Sequence, residues 1–106
     1  MDNDFLGFIG LATKAGRLSS GHDASFDAIR TGKAKLILLT ADASDRLKKE
    51  FQESAVYGGR NIRCITIPYS INDIRDATGK KAAVLTVNEE RFADRIADML
   101  RGGTKE

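Results

Sequence analysis

Apolar positions follow two rhythms along this chain, and each switch between them marks a change from helix to strand. Phe5, Leu6, Phe8, Ile9, Leu11 and Ala12 recur at helical spacing, behind Asn3 or Asp4 as a cap. Gly7 and Gly10 lie inside that helix, where each costs about 1 kcal/mol against alanine. They are expected to permit close packing. Gly16 ends the helix, because a left-handed residue satisfies stray carbonyls without a Cβ penalty. Residues 18–20 leave room only for a strand stub. A second helix follows, with Ser20 as its expected cap and the Asp23 carboxylate complementing the helix dipole. Its spacing turns Ala24, Ala28 and the Phe26/Ile29 pair inward and Asp23, Asp27 and Arg30 outward, and Gly32 closes it.

Strand 35–41 comes next, with residues 36–39 apolar enough to be buried on both faces. Asp42 or Ser44 caps a third helix that buries Leu47, Phe51 and Ala55 and leaves Lys48, Lys49, Glu50 and Glu53 in solvent. Tyr57-Gly58-Gly59 is a turn, and strand 62–67 stops at Pro68. A fourth helix opens at Ser70, buries Ile71 and Ile74, and ends at Gly79. Strand 82–87 follows. Asn88 caps a last helix carrying Phe92, Ile96, Met99 and Leu100, and residues 102–106 form a frayed tail. Five helices and four strands make an α/β three-layer α/β/α sandwich, one domain over residues 1–106. Alternation alone predicts a largely parallel sheet.

Composition narrows the function without naming it. At 42% hydrophobic and 30% charged residues, the chain is an ordinary soluble globular protein. A net charge of +2 makes no global demand for nucleic acid, so any basic surface has to be local. Cys64 stands alone, which excludes an internal disulfide and fits a reducing cytoplasm. No apolar run approaches a membrane span and no secretory signal pattern opens the sequence, so a cytoplasmic protein is expected. The lack of Trp argues against a stacking platform for single strands.

Catalytic chemistry is poorly supplied. His22 is the single histidine, and in a first helical turn it reads as a solvated polar residue. Cys64 sits mid-strand beside Ile62, Ile65 and Ile67, a packing position rather than a nucleophile's. No cluster has metal-ligand spacing. The expectation is a protein that is not an enzyme and needs no cofactor. Gly32-Lys33 and Gly79-Lys80 lack the first glycine and the hydroxyl of a P-loop and end helices, so they are helix C-caps.

Basic residues remain. Between positions 14 and 35 stand Lys14, Arg17, Arg30, Lys33 and Lys35 against Asp23 and Asp27. The second helix is about 16 Å long at 1.5 Å per residue, so Lys33 and Lys35 lie at the end away from Gly21. Lys14 and Arg17 are expected near the helix mouth, with Arg75, Lys80 and Lys81 bracketing a loop that joins them. A ligand reaching residues 20–24 meets free N–H groups and a positive helix end. That suits phosphate.

The stretches 15–21, 28–39 and 42–44, continued in register by Ile74, Ala77, Gly79 and Lys80, resemble the kink-turn RNA-binding ribosomal-protein family (the L-seven-Ae and L-thirty-e type). The likeness is greatest to its small bacterial YlxQ-like branch and covers nearly the whole chain. It implies a mixed sheet, with the last strand antiparallel to its neighbours. It also implies that RNA is gripped by the second helix's N-terminus, the basic residues before it and the loop before the final strand. The family signature is Gly-x-Asn-Glu with a lysine one turn on. Gly21 keeps the glycine, while Asp23, Ala24 and Asp27 occupy the Asn, Glu and Lys positions. Ser19 and Ser20 replace the basic pair, Gly79 keeps the loop glycine, and Arg75 stands where another glycine is usual. Asparagine and glutamate read the edges of sheared G·A pairs, so the scaffold is retained while the reading head is largely lost. The expected RNA-binding residues are Lys14, Arg17, Ser20, Gly21, His22, Asp23, Arg75, Gly79, Lys80 and Lys81. The expected partner is structured RNA, in a monomeric protein linked to the ribosome or to translation. A protein-interaction module for ribosome assembly or transcription, built on the same fold, is the alternative.

Overall fold

The computed structural model of the protein describes residues 4–56 and 59–102. Asn3 as a cap, Tyr57 and Gly58 of the expected turn, and residues 103–106 of the tail lie outside them. The elements run α1 (Asp4–Lys14), β1 (Leu18–Ser20), α2 (His22–Arg30), β2 (Leu36–Leu39), α3 (Asp45–Ser54), β3 (Arg63–Thr66), α4 (Ile71–Thr78), β4 (Val84–Val87) and α5 (Glu90–Gly102). Gly16, Gly32 and Gly79 take positive φ at the helix ends where stops were expected. Helix α5 runs through Gly102, one residue into the expected tail.

The strands lie in the order β1-β4-β2-β3. β4 is antiparallel to both β1 and β2, and only β2 and β3 run parallel. The sheet is therefore mixed, as the family likeness implied, and not largely parallel. The reason lies at α4. Alternation presumes that each helix returns the chain to the end where the previous strand began. Here the Ala41 N–H donates to the Tyr69 carbonyl, just past β3, and the Thr40 N–H donates to the Ala83 carbonyl, just before β4. Chain therefore leaves β3 and enters β4 at one and the same end.

β2 is buried along its whole length, and successive residues point to opposite faces. Leu36 and Leu38 join Phe5, Ile9, Ile74, Leu85, Val87 and Ile96 beneath α1, α4 and α5. Ile37 and Leu39 join Ala28, Ile29, Phe51, Ala55 and Val84 beneath α2 and α3. Those two cores define the three layers. Gly10 supports the close-packing expectation, since a Cβ there would stand 2.7 Å from the Ala77 carbonyl oxygen on α4. Gly7 does not, because a Cβ there meets open space.

Side-chain roles shift at several places. Helix α2 buries Ser25, Ala28 and Ile29, whereas Ala24 and Phe26 are exposed. Both sets have helical spacing, and serine is easily passed over as a core residue. Its hydroxyl donates to the Ser19 carbonyl, which makes burial acceptable. Leu11 is likewise on the surface. Ser44 caps α3 by accepting from the Leu47 N–H at 3.1 Å, while the Asp42 carboxylate accepts the Ile71 N–H that begins α4. Ser70 and Asp73 close a reciprocal capping box on α4. Asn88 does not cap α5. The Glu89 carboxylate accepts the Phe92 N–H instead, and the Asn88 amide donates to the Ser19 hydroxyl at 2.8 Å.

Candidate nucleic-acid interface

Helix α2 opens on Gly21, at φ 99° and ψ 169°, with no side-chain capping bond. A Cβ at Gly21 would meet nothing within 4 Å, so the backbone conformation, not space, calls for glycine. Ser20 is not the cap that was expected. It is the last residue of β1, paired with Leu85. The Gly21 N–H donates to the Val84 carbonyl at 2.9 Å, and the Gly21 carbonyl accepts the Ser25 N–H. The mouth of α2 is thereby stitched to the first residue of β4, and its first-turn amides stay open to an anion.

The loop entering β4 comes from α4. Gly79 closes that helix in the left-handed region, donating its N–H to the Arg75 carbonyl. The Lys80 N–H donates to the Thr78 hydroxyl at 3.1 Å. Lys80 and Lys81 are exposed. Lys81 stands three residues before Val84, within about 10 Å of chain at 3.3 Å per residue. The fold thus gathers Ser20, Gly21, His22, Asp23, Gly79, Lys80 and Lys81 at one end of the sheet.

It carries Lys14 and Arg17 away from the mouth. Arg17 precedes β1, and its carbonyl accepts the Asn88 N–H that follows β4. Leu18 pairs with Val87 there, whereas Ser20 pairs with Leu85, so Arg17 and Gly21 flank opposite ends of the strand. In an extended segment, neighbours in sequence are carried apart, here by about 13 Å. Lys14 lines a groove between α1 and α4 with Asp73 and Asp76, across the sheet from α2. Arg75, on α4, is paired with Asp76 at 3.3 Å.

His22 is more engaged than a solvated polar residue. Its Nδ1 lies 3.0 Å from the Asp23 carboxylate and its Nε2 2.9 Å from that of Glu50 on α3. The ring packs edge-on to Phe51 at 5.4 Å and nearly parallel to Phe26 at 6.4 Å. Hydrogen bonds to Asp23 first and Glu50 second raise the imidazole pKa above its ordinary 6.5. Glu50 was read from sequence as a solvated residue. Nothing local points from it to His22, because the two are 28 residues apart and meet only through packing of α2 on α3. Asp27 is ion-paired with Arg30, which tempers its repulsion of phosphate.

Among the described residues no group of His, Cys, Asp or Glu could hold a metal ion. Burial pushes the Cys64 thiol up to about 11, so it stays protonated at neutral pH. No described helix is long and apolar enough to cross a membrane.

Known proteins resemble this chain. An RNA-binding protein YlxQ of Enterococcus faecium is 29% identical over 97 residues, covering 92% of this chain and 91% of the relative. The RNA-binding protein YlxQ of Bacillus subtilis (strain 168) is 30% identical over 97 residues, covering 87% and 90%. A solved structure of a protein with unknown function from Bacillus halodurans superposes with a TM-score of 0.83 at 24% identity, over 94% of this chain and 99% of the other. That last likeness speaks for the fold alone. The profile of one family, described as ribosomal protein L7Ae/L30e/S12e/Gadd45, matches residues 4–96. This chain belongs to the ribosomal protein L7Ae/L30e/S12e/Gadd45 family.

Proposed function

We propose that the protein binds structured RNA, ribosomal or translation-linked, through the mouth of α2, and that it holds phosphate backbone there more than base edges. One observation carries this reading: the uncapped first turn of α2 is fixed to β4 by Gly21, beside a loop bearing two exposed lysines. Open amides, a helix dipole and mobile ammonium groups are general phosphate contacts. Relatives named as RNA-binding proteins support it. The reading positions lead away from sheared G·A recognition. Ala24 is exposed and its side chain offers no donor or acceptor, and the Asp23 carboxylate faces His22. The site residues are Ser20, Gly21, His22, Asp23, Gly79, Lys80 and Lys81.

In-cell crosslinking followed by sequencing of the bound RNA identifies the ligand. With that RNA, Lys80→Ala and Lys81→Ala should each weaken binding and each reduce the slope of log affinity against log salt by about one. Lys49→Ala, on the exposed side of α3, should do neither. Equal losses from both sets would contradict the assignment of this face. A second reading, a protein-docking module on the same scaffold, draws on exposed Phe26 and Val56. It predicts a complex that salt weakens little, whereas RNA held by several phosphates is lost steeply as salt rises.

A further inference from the structure

Four basic residues that the helix mouth leaves unused, Arg17, Lys33, Lys35 and Arg60, lie at the other end of α2. Ser19 pairs with Thr86, and Thr86 with Ile37. Two residues outward along each strand, the cross-strand row becomes Arg17, Asn88, Lys35. Two backbone bonds hold it: the Asn88 N–H donates to the Arg17 carbonyl, and the Lys35 N–H to the Val87 carbonyl, each at 2.8 Å. With strands about 4.8 Å apart, the Arg17 and Lys35 backbones stand about 10 Å apart. The period of two places both on the face of the sheet that α2 covers.

Lys33 joins them from the turn after α2, where its N–H donates to the Ala28 carbonyl. Arg60 comes from the segment before β3. Its Nη1 donates to the Ile29 carbonyl at 3.0 Å, and its guanidinium lies where a Cβ on Gly32 would meet it at 3.2 Å. All four cations are exposed. Among the described residues, Lys33, Lys35 and Arg60 make no ion pair. The Glu89 carboxylate is held below its ordinary pKa chiefly by the Phe92 N–H it accepts, with Arg17 a smaller cause. A helix C-terminus by itself repels anions. Here the Arg60 guanidinium occupies one of its carbonyls and offsets that repulsion.

We propose that this end of α2 is a second contact for RNA, a sequence-independent cradle for the phosphate backbone of a double helix. It is separate from the α2 mouth and goes beyond the function proposed for it. Helix α2 has nine residues, so the two sites lie about 14 Å apart at 1.5 Å per residue. One RNA can therefore reach both.

The test uses the full chain and a fully paired RNA duplex of about 16 base pairs, the span of a double-strand binder. It offers no kink or loop, and binding is read by fluorescence anisotropy across a salt series. Wild type should bind it with a steep salt slope. The combined change Arg17→Ala, Lys33→Ala, Lys35→Ala should reduce that slope by about three. The charge-keeping set Arg17→Lys, Lys33→Arg, Lys35→Arg should retain it, which separates lost charge from lost folding. Lys80→Ala with Lys81→Ala should weaken binding of the crosslinked RNA but reduce the duplex salt slope by less than the triple alanine change does, so failure of either site shows separately. No duplex binding by wild type, an unchanged slope in the triple alanine variant, or strong preference for one duplex sequence would each overturn the proposal.

Discussion

His22 shows how a residue's role depends on partners its sequence neighbours do not reveal. Two carboxylates, from Asp23 and Glu50, accept from its two ring nitrogens. Only the cationic imidazolium carries a proton on both, so both contacts favour the charged form. The pKa is raised in the folded protein. The stabilisation is then fully present below pH 6.5 and is lost as pH rises through the raised value. It is modest, since the ring is half exposed. Proton loss also makes the α2 mouth more negative, so RNA affinity should fall over the same interval. An NMR titration of the His22 ring should give a pKa above 6.5, and Glu50→Gln should bring it down. A wild-type midpoint at or below 6.5 would contradict the two carboxylate contacts to His22.

At the scale of elements, helix α1 separates two glycines that look alike in sequence. Gly10→Ala would set a methyl 2.7 Å from the Ala77 carbonyl oxygen, and relief requires α1 and α4 to part. Overpacking of this kind costs about 1–3 kcal/mol, enough to cancel or exceed the propensity gain of alanine. Gly7→Ala meets open space and should stabilise by roughly 0.5–1 kcal/mol through helix propensity. The urea unfolding midpoint should rise for Gly7→Ala and stay level or fall for Gly10→Ala, and a rise in both would contradict the packing of α1 on α4. The elements themselves were legible because glycine stops, serine caps and apolar periodicity act locally. Strand order was not, since β4 lies between β1 and β2 through long-range pairing that no local pattern encodes. Only the family likeness anticipated its direction.

For the whole molecule, a net charge of +2 is compatible with the two proposed basic ends, one at each terminus of α2. Gly21 and the loop lysines of the first end were legible as helix-mouth and loop features. The position of Arg17 was not, because an extended strand carries residues close in sequence to opposite ends of the sheet. The His22–Glu50 contact required the tertiary fold. The central claim is that the α2 mouth keeps its grip on backbone while Asp23, Ala24 and Asp27 forgo the base-edge contacts of a kink-turn reader. The most direct measurement compares affinities for a standard kink-turn hairpin among wild type, the triple variant Asp23→Asn, Ala24→Glu, Asp27→Lys, and a control lacking Ala24→Glu. Charge-assisted hydrogen bonds contribute roughly 1.5–3 kcal/mol, so the triple variant should gain at least about tenfold over wild type. It should also exceed the control, although the control is the more positive of the two. Tight, specific kink-turn binding by wild type, or a control equal to the triple variant, would contradict the account.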